Sequence, residues 1–136
     1  MSQERPEVLF LCVHNAGRSQ MAAALLSRQA GGKVEVHSAG SAPGDVLNPA
    51  VVEAMAEVGI EISAEKPKRL TDDIAKDADV VVTMGCGDVC PVYPGKRYVD
   101  WDLPDPAGKL IEDVRPIRDE ISTLVKALLT ELGPFG

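Results

Sequence analysis

Residues 8–26 read VLFLCVHNAGRSQMAAALL, and no other passage constrains the fold as much. Four successive apolar residues, Val8 to Leu11, leave no polar face, so Glu7 to Val13 reads as a strand buried on both sides, the kind found inside parallel sheets. Ser19 to Ala30 then places Met21, Ala22, Leu25 and Leu26 at helical spacing. A buried strand, a short loop and a helix start bring unpaired amides and a positive dipole end together. The loop therefore predicts an oxyanion site.

The same alternation runs along the chain. Gly31-Gly32 stops the first helix, Lys33 to His37 alternates like a strand, and residues 38–48 read as a loop. Asn48-Pro49 supplies an N-cap and an N1 proline for a helix to about Val58. Thr71 caps a short helix through Lys76, Ala78 to Met84 is a continuous apolar strand, and Lys96 to Asp100 is a short edge strand. Apolar positions from Val114 to Leu132 recur at helical spacing in a long final helix stopped by Gly133-Pro134. The expected fold is a single α/β domain over residues 1–136, an open parallel sheet of four strands with helices on both faces. There are no internal repeats.

In such sheets ligands bind beyond the carboxyl ends of the strands. Cys12, the 85–90 segment and the 102–106 segment all follow strands, so three loops should meet on one rim. A formal charge of -7 argues against a nucleic-acid or anionic-membrane surface, so any anion must be drawn by local positive groups. No segment has the length or composition of a signal peptide or membrane span, which predicts a cytoplasmic protein. Three cysteines, Cys12, Cys86 and Cys90, are too few for a disulfide scaffold.

Cys12 and Arg18 are separated by five residues and Ser19 follows. That spacing lets Val13, His14, Asn15, Ala16 and Gly17 curl so that their amides face one centre, while Arg18 adds a planar fork suited to a tetrahedral oxyanion. The same groups favour thiolate over thiol at Cys12. Ser19 is placed to donate to the sulfur, Asn15 to tie loop amides, and Gly17 to give the loop a permissive backbone. The competing account makes Cys12 a small buried hydrophobe, Arg18 a solvated charge and Ser19 a helix cap.

The segments CVHNAGRS at 12–19, HSAG at 37–40, GCGDVCP at 85–91 and DLPDPAGK at 102–109 resemble the low-molecular-weight protein tyrosine phosphatase superfamily, and within it the arsenate reductases of that fold. The resemblance runs from Val8 to about Leu132 and implies a flavodoxin-like strand order 2-1-3-4. It implies Cys12 as nucleophile, residues 13–19 as the oxyanion loop and Asp105 as the acid that protonates the departing oxygen. Flanking prolines, Pro104 and Pro106, would restrict that side chain. A Pro-Asp-Pro turn with a solvated carboxylate is the alternative, with Asp100 and Asp102 as weaker acids.

Cys86 and Cys90 separate the family's branches. A phosphatase needs one cysteine and water, whereas arsenate reduction needs two electrons. Those come if Cys86 attacks the Cys12-arsenic adduct and Cys90 then takes over the disulfide. Side chains four apart on a helix have Cβ atoms about 5–6 Å apart, but a disulfide needs roughly 3.5–4.5 Å. Gly85, Gly87 and Pro91 weaken helix here, so the segment reads as a redox-switched loop. Core packing or a zinc site are the alternatives; zinc would need ligands beyond His14 and His37.

The implied partners are arsenate, with phosphate or sulfate as competing anions, and thioredoxin or another thiol reductant, mycothiol and mycoredoxin included. No cofactor or metal is expected, and the carboxylate with which relatives hold potassium falls at Ala23. Asp105-Pro106 is followed by Ala107-Gly108 where tyrosine phosphatases commonly have tyrosine. With few aromatic residues an aryl-binding wall is hard to build, although Trp101 could contribute to one, and the pocket suits a small oxyanion. A phosphomonoester hydrolase, an arsenate-mycothiol transferase and a non-enzymatic oxyanion sensor remain as other readings.

Overall fold

In the computed structural model, residues 6–84 and 96–132 are described. Strand β1, Glu7–Cys12, buries every residue from Val8 to Cys12. It does so because both of its edges are paired. It runs parallel to β2, Glu35–Gly40, from Glu7↔Glu35 to Cys12↔Gly40, and on its other side to β3, Val80–Thr83, from Val8↔Val80 to Leu11↔Thr83. The edge strand β4, Arg97–Asp100, pairs parallel with β3. The order β2-β1-β3-β4 is the expected one.

The alternating sides of β1 serve two cores. Val8, Phe10 and Cys12 pack with helices α1, Arg18–Ala30, α2, Pro49–Glu57, and α4, Ile111–Leu132. Leu9 and Leu11 face the short helix α3, Asp72–Asp77, through Ala75, Ala78 and Val81. Helices therefore cover both faces, but unequally. Trp101 belongs to the larger core, 5.6 Å from Phe10 between ring centroids and 7% exposed. It is core packing and gives the pocket no aryl wall.

Several boundaries differ from expectation, those nearest the site most usefully. Strand β1 stops at Cys12 rather than Val13, and α1 begins at Arg18 rather than Ser19. Strand β2 runs through Glu35–Gly40 instead of Lys33 to His37. Its last residues, Ser38, Ala39 and Gly40, are small and buried, so they carry no alternating pattern. Pairing with β1 draws them into the sheet. Their outer edge is closed by Gly40 N donating to Lys68 O at 2.7 Å and Leu70 N donating to Gly40 O at 2.9 Å.

Helices α2 and α4 are clamped by charge. Arg118, 9% exposed, donates from Nη1 to Ala54 O and to Glu57 Oε1, both at 2.9 Å, and Arg115 grips the same carboxylate from Nε and Nη2. These hydrogen bonds, Arg115's first, hold Glu57 down at a pKa of about 2 although partial burial opposes the shift. The clamp fixes the helix whose N-cap, Asn48, reaches the pocket described below. Among the described residues no helix is long and apolar enough to cross a membrane.

Candidate active site

Cys12 ends the central strand and is 3% exposed, so its sulfur has one outlet, the loop that follows. That loop is held from outside by its carbonyls. Ser41 N donates to Cys12 O, Ala42 N to Val13 O, Gly44 N to His14 O and Asn48 N to Ala16 O, at 2.8–3.2 Å. These bonds fix the loop against the 41–48 segment. Asn15 N points at Cys12 Sγ, 3.2 Å away.

Asn15 takes the left-handed backbone, φ 52°, a conformation asparagine tolerates better than most residues. Its fully buried side chain is oriented by its partners. Oδ1 accepts from Lys68 N at 2.7 Å and from Gln20 Nε2 at 3.1 Å, which leaves Nδ2 to donate to Ser19 Oγ at 2.7 Å. Because Ser19 Oγ accepts that bond, its own hydrogen is free for Cys12 Sγ at 2.8 Å. From the described residues the sulfur thus receives two hydrogen bonds, an arrangement that stabilises negative charge. Asn15 ties the helix start and the 66–68 segment rather than the loop's own amides.

Arg18, with its side chain 11% exposed, bridges to the facing loop. Nη1 donates to Leu103 O at 3.0 Å, and Nη2 lies 3.8 Å from Asp105 Oδ2. Asp105 is half exposed, and its Oδ1 accepts from Ala107 N at 3.0 Å. The loop approaches so closely that a Cβ on Gly17 would lie 2.7 Å from Pro106 Cγ. Gly17 has φ -142°, so contact with Pro106, not left-handed backbone, is what requires glycine there. Gly40 is similarly confined, since a Cβ would meet Val13 O at 2.5 Å.

These groups enclose a pocket of about 200 Å³ with Cys12 at its base, Arg18 and Asp105 on its walls and exposed His14 at its rim. It has room for a tetrahedral oxyanion and a few waters. Among the described residues no Phe, Tyr or Trp side chain lines it. A larger cavity, about 370 Å³, lies between α1, β2 and the 60–68 segment and is lined in part by Ala23, Ser38 and Lys68. It holds neither cysteine nor arginine, so the pocket at Cys12 is the candidate active site.

Of the residues expected at the site, Cys12, His14, Ala16, Gly17, Arg18 and Asp105 line this pocket, Asn15 and Ser19 lie fully buried with their hydrogen bonds on the Cys12 sulfur, and Val13 is not part of the lining. Cys86 and Cys90 lie outside the described residues. Asp100 and Asp102 are not in the pocket lining, and Asp100 accepts from Thr83 Oγ1 at 2.7 Å instead. Among the described residues no group of His, Cys, Asp or Glu is placed to hold a metal ion. Sequence reasoning missed Gln20, whose 3% exposed amide also donates to Lys66 O, and saw Asn48 only as a cap. A lone glutamine in a helix pattern gives no signal of such a role.

An arsenate reductase of Brevibacillus brevis is 39% identical over 127 residues, 91% of this chain and 94% of that protein. Among solved structures, a thioredoxin-dependent arsenate reductase of Corynebacterium glutamicum matches with TM-score 0.81 and 49% identity over 96% of this chain. The chain spans 62% of the length of that relative. An arsenate reductase in its phosphate-binding state matches with TM-score 0.84 and 32% identity, covering 94% of this chain and 99% of the other. With residues 7–134 matching the model described as low molecular weight phosphotyrosine protein phosphatase, the chain belongs to that family.

Proposed function

We propose that the chain is an arsenate reductase in which Cys12 is the nucleophile, Arg18 and the amides of residues 13–19 bind the oxyanion, and Asp105 is the general acid. The observation that carries this reading is the hydrogen-bonded chain Asn15–Ser19–Cys12 at the base of a small pocket with no Phe, Tyr or Trp in its lining among the described residues. It activates a sulfur without providing for a flat substrate ring. The relatives named arsenate reductase support the same substrate.

In the first step the Cys12 thiolate attacks arsenic(V), a sulfur–arsenic bond forms and an arsenic–oxygen bond breaks. The departing hydroxyl takes a proton from Asp105 and leaves as water. In the second, the thiolate of Cys86 attacks the Cys12 sulfur, and the electron pair of the sulfur–arsenic bond stays on arsenic, which departs as arsenite. Two thiols have then been oxidised to a disulfide and arsenic has gained two electrons. Cys90 next attacks Cys86, freeing Cys12 and leaving a Cys86–Cys90 disulfide for a dithiol such as thioredoxin to reduce. This relay rests on the sequence of the 85–91 segment.

Two other reactions would use the same first step. Water attacking a phosphoryl-cysteine gives a phosphomonoester hydrolase, the reading favoured by the family's name. A small thiol such as mycothiol attacking the arsenic adduct gives a transferase, with a mycoredoxin-like protein finishing the reduction. Mass spectrometry after one equivalent of arsenate without reductant separates them. The relay predicts loss of two hydrogens mapped to a cysteine pair, and Cys90→Ser should stop after one turnover as a Cys12–Cys86 disulfide. Repeated turnover by Cys90→Ser with thioredoxin and its reductase as the sole donor would overturn the relay, and activity in Cys12→Ser would overturn the whole mechanism.

A further inference from the structure

Asp105 carries the proposed acid on a half-exposed loop, and proline on either side restricts its backbone without attaching it to anything. Attachment comes from two donors outside that loop. Arg18 Nη1 holds the carbonyl of Leu103, two residues before the acid, at 3.0 Å. Asn48 Nδ2 holds the carbonyl of Pro106, one residue after it, at 3.1 Å. Asp105 is thus bracketed by two anchored carbonyls.

The other atoms of Asn48 are also occupied, each in a different element. Its amide donates to Ala16 O in the oxyanion loop at 2.9 Å. Its Oδ1 accepts from Ala50 N at 3.0 Å and caps α2. One residue therefore joins the oxyanion loop, the helix clamped by Glu57 and the acid's loop, and it lines the pocket itself. Capping needs only the side-chain oxygen; serine or aspartate would serve it as well. The amide nitrogen is surplus to the cap, and among the described residues it bonds to the acid's loop.

We propose that Asn48 is a positioning residue for the reaction, setting the place of the Asp105 carboxyl over the oxyanion through its hold on Pro106. This rests on the reading of Asp105 as general acid. An ångström of displacement in a reacting group costs about a hundredfold in rate, so one lateral bond on a half-exposed loop is enough to matter. Oxyanion affinity, by contrast, comes from Arg18 and the loop amides, which Asn48 does not contact through its side chain. Loss of the Nδ2 donor should therefore be felt in kcat and not in KM.

Asn48→Ser tests this, because serine keeps a capping oxygen and no charge is introduced near the anion. The expected result is a kcat for arsenate about tenfold lower with KM within about twofold. A double-mutant cycle with Asp105→Asn separates positioning from general loosening: if Asn48 acts through Asp105, its own effect should shrink to below about twofold once the acid is gone. Equal fold-losses in both backgrounds, or a rise in KM with kcat unchanged, would overturn the proposal. Should Asn48→Ser fail to fold, Asn48→Asp keeps shape and cap, and kcat at saturating arsenate is read in the same cycle. If Asp105→Asn alone leaves kcat unchanged, the acid assignment itself fails, and that result is visible before Asn48 is touched.

Discussion

Gly17 and Pro106 meet where no side chain fits: a Cβ on Gly17 would sit 2.7 Å from the proline Cγ. The acid-bearing loop lies this close to the start of α1 because one partner is glycine. Gly17→Ala should therefore push Pro106 away and carry Asp105 with it. We expect kcat to fall by about tenfold to a hundredfold, with a smaller change in phosphate inhibition, measured by steady-state kinetics with phosphate as competitor.

Ser19→Ala removes one of the two hydrogen bonds received by Cys12 Sγ and leaves Asn15 Nδ2 without its acceptor. A hydrogen bond to a charged group is worth about 1.5–3 kcal/mol, or roughly ten- to a hundredfold in rate. The rate of the first turnover should fall by that factor. Alkylation of Cys12 by iodoacetamide at neutral pH should slow in parallel, which ties the defect to the sulfur.

Asn15→Ala is expected to cost stability as well as activity. It puts alanine at φ 52° and deprives Lys68 N and Gln20 Nε2 of a shared buried acceptor. Gln20 Nε2 keeps Lys66 O, so the main loss is the acceptor of Lys68 N, about 1–3 kcal/mol. Thermal denaturation should show a loss of several degrees, and Asn15→Gly, which relieves only the backbone, should recover a part of it.

Glu57 predicts an acid-dependent stability. Its folded pKa, about 2, lies below the ordinary carboxylate value of 4.5, so its contribution is complete above about pH 4.5 and is lost as pH falls through 2. Urea unfolding of the parent and of Glu57→Gln should show the parent more stable at neutral pH, with the two converging between pH 4.5 and 2. A gap that stays constant over that range would remove Glu57 from the account.

Much of the site was legible because it follows from contiguous residues. Val8 to Leu11 has no polar side, so a doubly paired central strand was its natural reading, and the nucleophile's place at the strand end followed. Asn48 shows where that reading stops. An asparagine before a proline signals a helix cap, and nothing local reveals that its amide nitrogen reaches a carbonyl 58 positions along the chain. Strand β2 was misplaced for a related reason: Ser38, Ala39 and Gly40 are too small to give a hydrophobic period, and their pairing is imposed by Phe10, Leu11 and Cys12. Trp101 was misjudged because burial against Phe10 depends on how two distant segments pack.

The four carbonyls of the oxyanion loop that bond to the 41–48 segment are held entirely by its backbone amides, those of Ser41, Ala42, Gly44 and Asn48. Side chains between them take no share in that grip, and Val46 stands 73% exposed. The scaffold and the decoration of this rim are thus separable. Substitutions at Ala42, Asp45 or Val46 can change the exposed surface beside the pocket while the cup keeps its form, whereas inserting a single residue would put the amides beyond it out of step with their carbonyls. For redesign or for natural drift, the length of this segment is the fixed quantity and much of its spelling is free.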